Sequence, residues 1–591
     1  MTQKEFKLLY TIKKHGMKSY RELSELSGVS TGYISQTLTS FRKQGLVDDA
    51  GITDAGLDEL APYKVNNAII MAAGMSSRFM PISLEKPKGM LVVKDEVLIE
   101  RQINQLRAAG IREIILVLGY KKEAFFYLEE KMDVKILINP LYNVKNNIET
   151  VYLAQQYIGN SYICSSDNYF SENVFEEYVY QSYYASIHVQ EKTNEWYMTP
   201  DDHFNISKVN KSGEAGYIML GHVYWDRSFA KAFLELVNRH HDTGDYDHCL
   251  WEDLFIDHIR CLPPMKIKVY PQDVIHEFDS LDELREFDAS YMHNSHSRIM
   301  DNICGVFHCE ETDILNFVPI KKGLTNTSFV FEVKGKNYVY RHPGENTEQI
   351  ISRKHEKTSI TKAKQLGIDP TFIAMNEEEG WKISHYVPNF RVPDYADFED
   401  SKRVIEVMRK LHDSRENVSW DFSPWEEALK IETLLREKGD IQVTDFDALK
   451  HMVEHCYKLT SEDGVEKCLC HCDTYAPNWM ITPDATILID WEYSGNADPG
   501  CDVGGYIMDA MYDVNEAKKF IRYYCGDACD DSLLTHYLAY VAIISYYWFV
   551  WALYRESCGA VMGDSLHNWY VMAKRFSKYV SENTKESYNG K

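Results

Sequence analysis

The sequence predicts a multidomain α/β and α+β protein, and three observations carry that prediction. A short helical head opens with a helix-turn-helix pattern. Alternating buried-strand and amphipathic-helix signals follow, as expected for a mainly parallel sheet. A hairpin signal then leads into long helical stretches, the pattern of a two-lobed domain with a small sheet lobe and a larger helical lobe. Length alone suggests about four domains for such a chain; the patterning resolves three, at residues 1–64, 65–295 and 299–591, with MHNSHSRIM (Met292–Met300) as the joint.

In the head, Phe6, Leu9 and Tyr10 recur at helical spacing, a short helix is predicted over Tyr20–Ser27, and a turn at Gly28-Val29 leads to a third helix with Ile34, Leu38 and Phe41 on one face. The following GLVDDAGITDAGLDEL resembles the small wing of winged-helix domains, so the head is expected to be a winged helix-turn-helix. Its reading face would carry Ser30, Thr31, Tyr33 and Gln36, with Arg42 and Lys43 near its end and Asp48, Asp49 and Asp54 close behind. Few cations are there to grip phosphates, so DNA is not the favoured partner; a helical adaptor for protein or an effector-sensing module is the competing reading. The whole chain agrees, with 64 Lys and Arg against 89 Asp and Glu, a formal charge of −25.

The opening MTQKEFKLLYTIKKHG lacks the apolar run of a secretory signal, and 13 scattered cysteines do not suggest a disulfide framework, so a cytoplasmic location is expected. Leu533–Tyr554 nearly reaches the length of a membrane span, but His536 and its many tyrosines favour a buried helix without membrane insertion.

The central region begins with the buried-strand pattern NNAIIMAAG, then LIERQINQLRAAG as a helix and IREIILVLG and VKILINP as strands. After the first strand, the small-residue turn Ala72-Ala73-Gly74 lets a nucleotide approach the backbone, whose amides can hold phosphate oxygens. Arg78 and Lys88 add fixed positive charge beside it, and no Gly-x-x-x-x-Gly-Lys-Ser/Thr string suggests a P-loop. A triphosphate site also needs a divalent cation and carboxylates at strand ends to hold it. Asp167 follows a short strand, and Glu277 and Asp279, two apart, project to one face of an extended segment.

The spacing of AAG, SSR, a proline and PKGML resembles the sugar-phosphate and choline-phosphate nucleotidyltransferases. NPLYNVKNNIETVYLAQQYIGNSYICSSDNYF and HEFDSLDELREFD narrow that resemblance to bacterial choline-phosphate cytidylyltransferases of the lic type. It implies a Rossmann-like domain, CTP held by the opening turn and by Asn146 and Asn147, and magnesium (Mg2+) held by Asp167, Glu277 and Asp279. It also implies aromatic residues around a trimethylammonium group, for which Trp196 and Trp251 are the candidates, because a quaternary ammonium cannot donate hydrogen bonds.

In the last region, LCHCDTYAPNWM and ATILIDWEYSG place Asp473 and Asn478 in a His-x-Asp-x-x-x-x-Asn pattern, with Asp490 following a strand. In kinase-like enzymes such an aspartate orients the acceptor hydroxyl and takes its proton, while the asparagine and later aspartate ligate magnesium. A zinc knuckle from Cys468, Cys470, His471 and Cys472 is disfavoured, since the spacing is too dense for paired ligands. Upstream, GLTNTSFVFEV, with Thr325 and Asn326, reads as a loop over ATP phosphates. Arg341 stands where a kinase usually has a lysine, and Glu356 could steady it. The arginine departs from generic protein kinases and fits the aminoglycoside phosphotransferase and choline kinase superfamily, choline kinases in particular. That resemblance implies a kinase-like bilobal fold and a choline cage from Trp548 and Trp551, with Tyr570 as a third wall and Asp509 as a counter-charge; Asp502 is expected to orient a loop rather than catalyse.

The two resemblances together imply a bifunctional enzyme using ATP, CTP, choline and phosphocholine to make CDP-choline. Ethanolamine or another amino alcohol is the alternative substrate, and a DNA-binding regulator with sensor domains is the alternative class.

Overall fold

The computed structural model describes residues 1–190, 195–212, 215–320, 326–344 and 352–588. They form two compact units, Met1–Asp313 and Ile314–Lys591. The division therefore falls after the segment Met292–Met300 in which the joint was expected. The physical reason is the helix Arg298–Phe307, which buries Ile299, Met300 and Ile303. The Glu85 carboxylate caps it, accepting from the amides of Arg298 and Ile299 at 2.9 and 3.3 Å.

Nor is the head a separate body. Its helices Gln3–His15, Tyr20–Ser27, Thr31–Lys43 and Asp54–Leu60 share a core with Tyr178 of the central region. Asn160 donates to the carbonyls of Pro62 and Lys64 at 2.8 and 3.1 Å. Thr2 with Glu5 and Ser19 with Glu22 form capping boxes that start the first two helices. Gly28, at φ +68°, makes the left-handed turn into the third. The segment expected as a wing contains one antiparallel bridge, Val47 to Ile52, before the helix Asp54–Leu60.

A nine-stranded sheet organises the rest of this unit. Lys135–Ile138, Glu113–Leu118, Asn67–Ala72 and Ser161–Ser165 run parallel in that spatial order, and Gly216–Trp225 joins antiparallel beside Ser161–Ser165. The central strand is apolar from Ala68 to Ala72 because both of its faces are covered. Ala68, Ile70 and Ala72 belong to one core layer and Ile69 to the opposite one. The turn at Ala72–Gly74 and the end of Ser161–Ser165 thus lie side by side at the carboxyl edge of the parallel strands, where open α/β sheets bind ligands.

The second unit starts with a five-stranded antiparallel sheet: Ile314–Pro319, Asn326–Val333, Lys336–Pro343, Lys382–His385 and Phe372–Met375, in spatial order. Lys334 and Gly335, at φ +51° and +72°, form the two-residue hairpin turn whose glycine the sequence marks. A helical lobe follows. At its centre is Asp531–Ser557, the one helix among the described residues long and apolar enough to cross a membrane; its side chains are mostly buried between neighbouring helices. Gly500 and Gly504 permit the close approach of Gly500–Asp509, since a Cβ at Gly500 would lie 2.3 Å from the Tyr540 ring and one at Gly504 3.0 Å from the Tyr540 backbone.

Candidate active sites

The first site lies at the carboxyl edge of the nine-stranded sheet. A cavity of about 190 Å³ is walled by Ala72, Ala73, Gly74, Lys88, Asn146 and Asp167. Lys88 is 6% exposed and spans two acids, with Nζ 3.3 Å from Asp167 Oδ2 and 3.2 Å from Asp279 Oδ1. Burial opposes its charge, but Asp167, Asp279 and Glu277 outweigh that and raise its pKa. Arg78, much more exposed, reaches Asp279 Oδ2 at 2.8 Å. Ser165 donates to Asp167, and Asn168 donates to Glu277 at 3.3 Å. Glu277 opens onto the cleft, yet the protein packed around its carboxyl, and then Asp167, raise its pKa to about 8. Residues 110 positions apart in sequence, Asp167 and Glu277, are thereby brought together with Asp279 around one lysine.

A second cavity, of about 330 Å³, adjoins the first across Asn147. Both predicted tryptophans line it. Trp196 has the Lys211 ammonium 4.7 Å from its ring centroid. Trp251 is 1% exposed and packs edge-on against Trp225 and Phe233, so it belongs to the core as much as to the wall. Asn147 spends its side chain on this wall: Oδ1 accepts from the Trp251 amide at 2.7 Å and Nδ2 donates to Glu252 Oε2 at 3.3 Å. Asn146 instead caps its helix and donates to the His248 carbonyl at 3.3 Å.

Three groups in these cavities escaped the sequence reading. Lys145 lines the first cavity, braced by Asp247 at 2.9 Å and Glu149 at 3.3 Å. Tyr184 stacks on Trp251 and donates to Glu252 Oε1 at 3.4 Å. Burial raises the pKa of Glu252 to about 7, so a cation seated in the cavity would find a poorly solvated carboxylate beside it. The only sequence signal was adjacency, since Glu252 follows Trp251.

The second site joins the five-stranded sheet to the helical lobe within Ile314–Lys591. Arg341 and Glu356 form a bidentate pair at 2.7 and 2.8 Å, and Arg341 also reaches Asp490 at 3.0 Å. Lys382, opposite Arg341 in the ladder, reaches Glu356 at 3.1 Å and Asp490 at 3.6 Å. Arg353 adds a third cation, 3.0 Å from Glu356 and 3.3 Å from Glu492. Burial of Glu356 opposes its charge, but Arg341, Lys382 and Arg353 hold its pKa well below the ordinary carboxylate range. Asn326 donates to Glu492 at 3.2 Å. Thr325 lies outside the described residues.

Asn478 donates to the carbonyl and the carboxylate of Asp473 at 2.8 and 3.0 Å. Burial, then Asp490 and Glu492, push Asp473 well above the ordinary carboxylate range. Asp490 is held at φ +70°, a left-handed conformation that aspartate tolerates better than most residues. Asp502 accepts from the amides of His471 and Cys472 at 2.9 and 2.6 Å, fixing the loop that carries Asp473. His471 has both ring nitrogens engaged, with the Ile489 carbonyl at 2.9 Å and the Asp473 amide at 3.3 Å. Asp509 accepts from the Ala476 amide at 2.8 Å and from the Tyr395 hydroxyl, so it braces the same loop.

Trp548 and Trp551 meet at 5.4 Å with rings near perpendicular. Tyr570, expected as their third wall, is directed elsewhere: its ring packs on Phe549 and its hydroxyl donates to Asp445 at 2.9 and 2.8 Å. Its neighbour Trp569 lies 5.8 Å from Trp548 instead, because one residue turns the helix by about 100°. Tyr493, three residues after Asp490, supplies another wall at 5.4 Å from Trp548.

Comparison with known proteins agrees with this division. The nucleotidyl transferase family matches residues 67–198, and the choline/ethanolamine kinase family matches residues 317–558. The choline-phosphate cytidylyltransferase of Streptococcus pneumoniae is 32% identical over 225 residues, 37% of this chain and 96% of that protein. The 2-aminoethylphosphonate cytidylyltransferase of Lancefieldella rimae is 33% identical over 233 residues, 38% of this chain and 94% of that protein. Among solved structures, choline kinase LicA from Streptococcus pneumoniae aligns with 48% of this chain and 98% of its own, at 24% identity and a TM-score of 0.42.

Proposed function

The chain belongs, through its central region, to the cytidylyltransferase family of these bacterial relatives, and on that premise we propose that it catalyses two consecutive steps. The second unit phosphorylates choline with ATP; the first transfers CMP from CTP to phosphocholine, releasing pyrophosphate and CDP-choline. The observation that carries this reading is the repetition of one arrangement: in each unit, clustered carboxylates and buried cations that could hold a metal-bound nucleoside triphosphate. Each unit also presents clustered aromatic side chains suited to an organic cation. Fusion to a kinase-like unit favours a phosphate ester over a phosphonate, because a carbon–phosphorus bond needs no phosphorylation step.

Both carboxylate sets fit a divalent cation. They are hard oxygen donors, and the pKa values of Glu277 and Asp473 are raised first by burial and then by the neighbouring carboxylates, so a cation among them would relieve both costs. Asp167, Glu277 and Asp279 would hold magnesium in the first unit, and Asn478 and Asp490 in the second. Magnesium, when bound, screens triphosphate charge. In the second unit Asp473 orients the choline hydroxyl and takes its proton as the oxygen attacks the γ-phosphorus; a raised pKa improves it as a base. Arg341 and Lys382 neutralise charge on the transferring phosphate. In the first unit the phosphocholine phosphate is already an anionic nucleophile. Lys88 and Arg78 align and neutralise it for in-line attack on the α-phosphorus of CTP.

Two expected results test the first unit. Because Glu277 holds its proton below a pH of about 8, free magnesium must displace that proton. The half-saturating magnesium concentration for CMP transfer should therefore rise as pH falls from 8 to 6.5, by up to about tenfold per unit, and level off above 8. A pH-independent value would remove Glu277 from the ligand set. Glu252→Gln should raise the KM for phosphocholine by about tenfold with little change in kcat, since it removes charge felt equally by bound substrate and transition state. An unchanged KM would place the ammonium elsewhere. Running the same assays with ethanolamine and its phosphate separates the amino alcohols.

The head is, in this reading, a winged helix-turn-helix, supported by its Gly28 turn and Val47–Ile52 bridge, and the enzyme is cytoplasmic, where ATP and CTP are made. A regulator with inert sensor domains is disfavoured by the complete acid sets in both units.

A further inference from the structure

One cavity in the first unit belongs to neither catalytic arrangement. It has a volume of about 480 Å³ and lies between the helix Gln3–His15 and the central region, bounded by residues 176–183 and the strand Lys266–Val269. Its charge runs against that of the chain. Lys7, Lys14, His15, Lys266 and Lys268 line it, with Glu176 as the single acid. Glu176 is already matched by Lys268 at 3.1 Å. Lys7 and Lys14 are exposed, seven apart on one helix face, and make no ion pair among the described residues. In a chain of net charge −25, an uncompensated cationic concavity is the exception. The rest of the lining is aromatic: Tyr10 and Tyr178, in contact with each other at 5.5 Å, then Tyr180 and Tyr183.

We propose that this cavity is an effector site for a nucleotide, with Lys7 and Lys14 meeting its phosphates and the tyrosine walls its base. Its volume suits such a ligand. The sheet supplies the link to catalysis. Lys266–Val269 pairs in parallel with Tyr183–Val189, Lys266 opposite Tyr183 and Ile267 opposite Tyr184. Successive residues of a strand face opposite ways: Tyr183 borders the effector cavity, while Tyr184 walls the catalytic one and donates to Glu252. A ligand that favours one placement of this strand would therefore shift the affinity of the catalytic cavity.

The test is hydrogen exchange on the full chain with CMP, AMP or CDP-choline, with pyrophosphate as the base-free control. Binding in the catalytic cleft slows exchange around residues 72–90; effector binding should additionally slow it in 3–15 and 266–269. Lys7→Glu/Lys14→Glu should weaken that second protection at least tenfold, and Lys7→Gln/Lys14→Gln should do so by less. Both variants should retain the CMP-transfer rate measured without added effector, which also separates failure here from failure of the proposed reaction. Protection confined to 72–90 for every nucleotide, or equal protection of 3–15 by pyrophosphate, would overturn the proposal.

Discussion

Asp473→Ala should lower choline phosphorylation by about 10²–10⁴-fold while leaving CMP transfer to supplied phosphocholine intact. The size of the effect follows from where the carboxylate sits. It is pushed well above its ordinary pKa by burial and by Asp490 and Glu492, and Asn478 pins it at 3.0 Å. It is thus a preoriented base with real proton affinity. Asp473→Asn separates the two contributions, since it keeps the shape but cannot take a proton; it should be nearly as inactive as the alanine variant, with choline KM close to normal. ATP-dependent phosphocholine formation and pyrophosphate release, measured on the same preparation, check both halves at once. Loss of both steps in Asp473→Ala would mean that the two sites do not work independently. The mirror experiment is Asp167→Ala, which should halt the sequence after phosphocholine.

What was legible in the sequence were groups whose partners are near in the chain or belong to a spaced motif. The Ala72–Gly74 turn, the Gly335 hairpin and the pairing of Asp473 with Asn478 all depend on short separations, where strand and turn geometry leave few options. Lys382 was not legible, because it reaches Glu356 only through its register opposite Arg341, 41 positions away, and that register exists only in the folded sheet. Tyr570 illustrates a different limit. Aromatic residues crowd the last two helices, and choosing between Trp569 and Tyr570 requires the rotation of one helix against another, which composition does not encode. The domain boundary moved for a third reason: a polar segment that reads as a linker is followed at once by Arg298–Phe307, whose capping partner, Glu85, lies more than 200 residues earlier.

Lys88→Met should lower kcat/KM for CMP transfer by about 10²–10³-fold, the loss expected when one fixed positive group is removed from a site of developing phosphate charge. Arg78→Ala should cost less. Both cations touch Asp279, but Lys88 is buried and also holds Asp167, whereas the Arg78 side chain is 76% exposed and its charge is screened by water. The lysine also has a signature that a purely positional role would lack. Without it, Glu277 faces Asp167 and Asp279 with no buried counter-charge, so its folded-state pKa, already raised, moves further above that of the unfolded chain. Between those limits the folded state binds the extra proton, and stability must fall as pH rises. In metal-free protein, the thermal midpoint of Lys88→Met should therefore drop relative to the parent between pH 5 and 8 and recover on acidification. Equal activity losses in the two variants, or a pH-independent difference in midpoint, would show that Lys88 does not act as the charge at the centre of this carboxylate cluster.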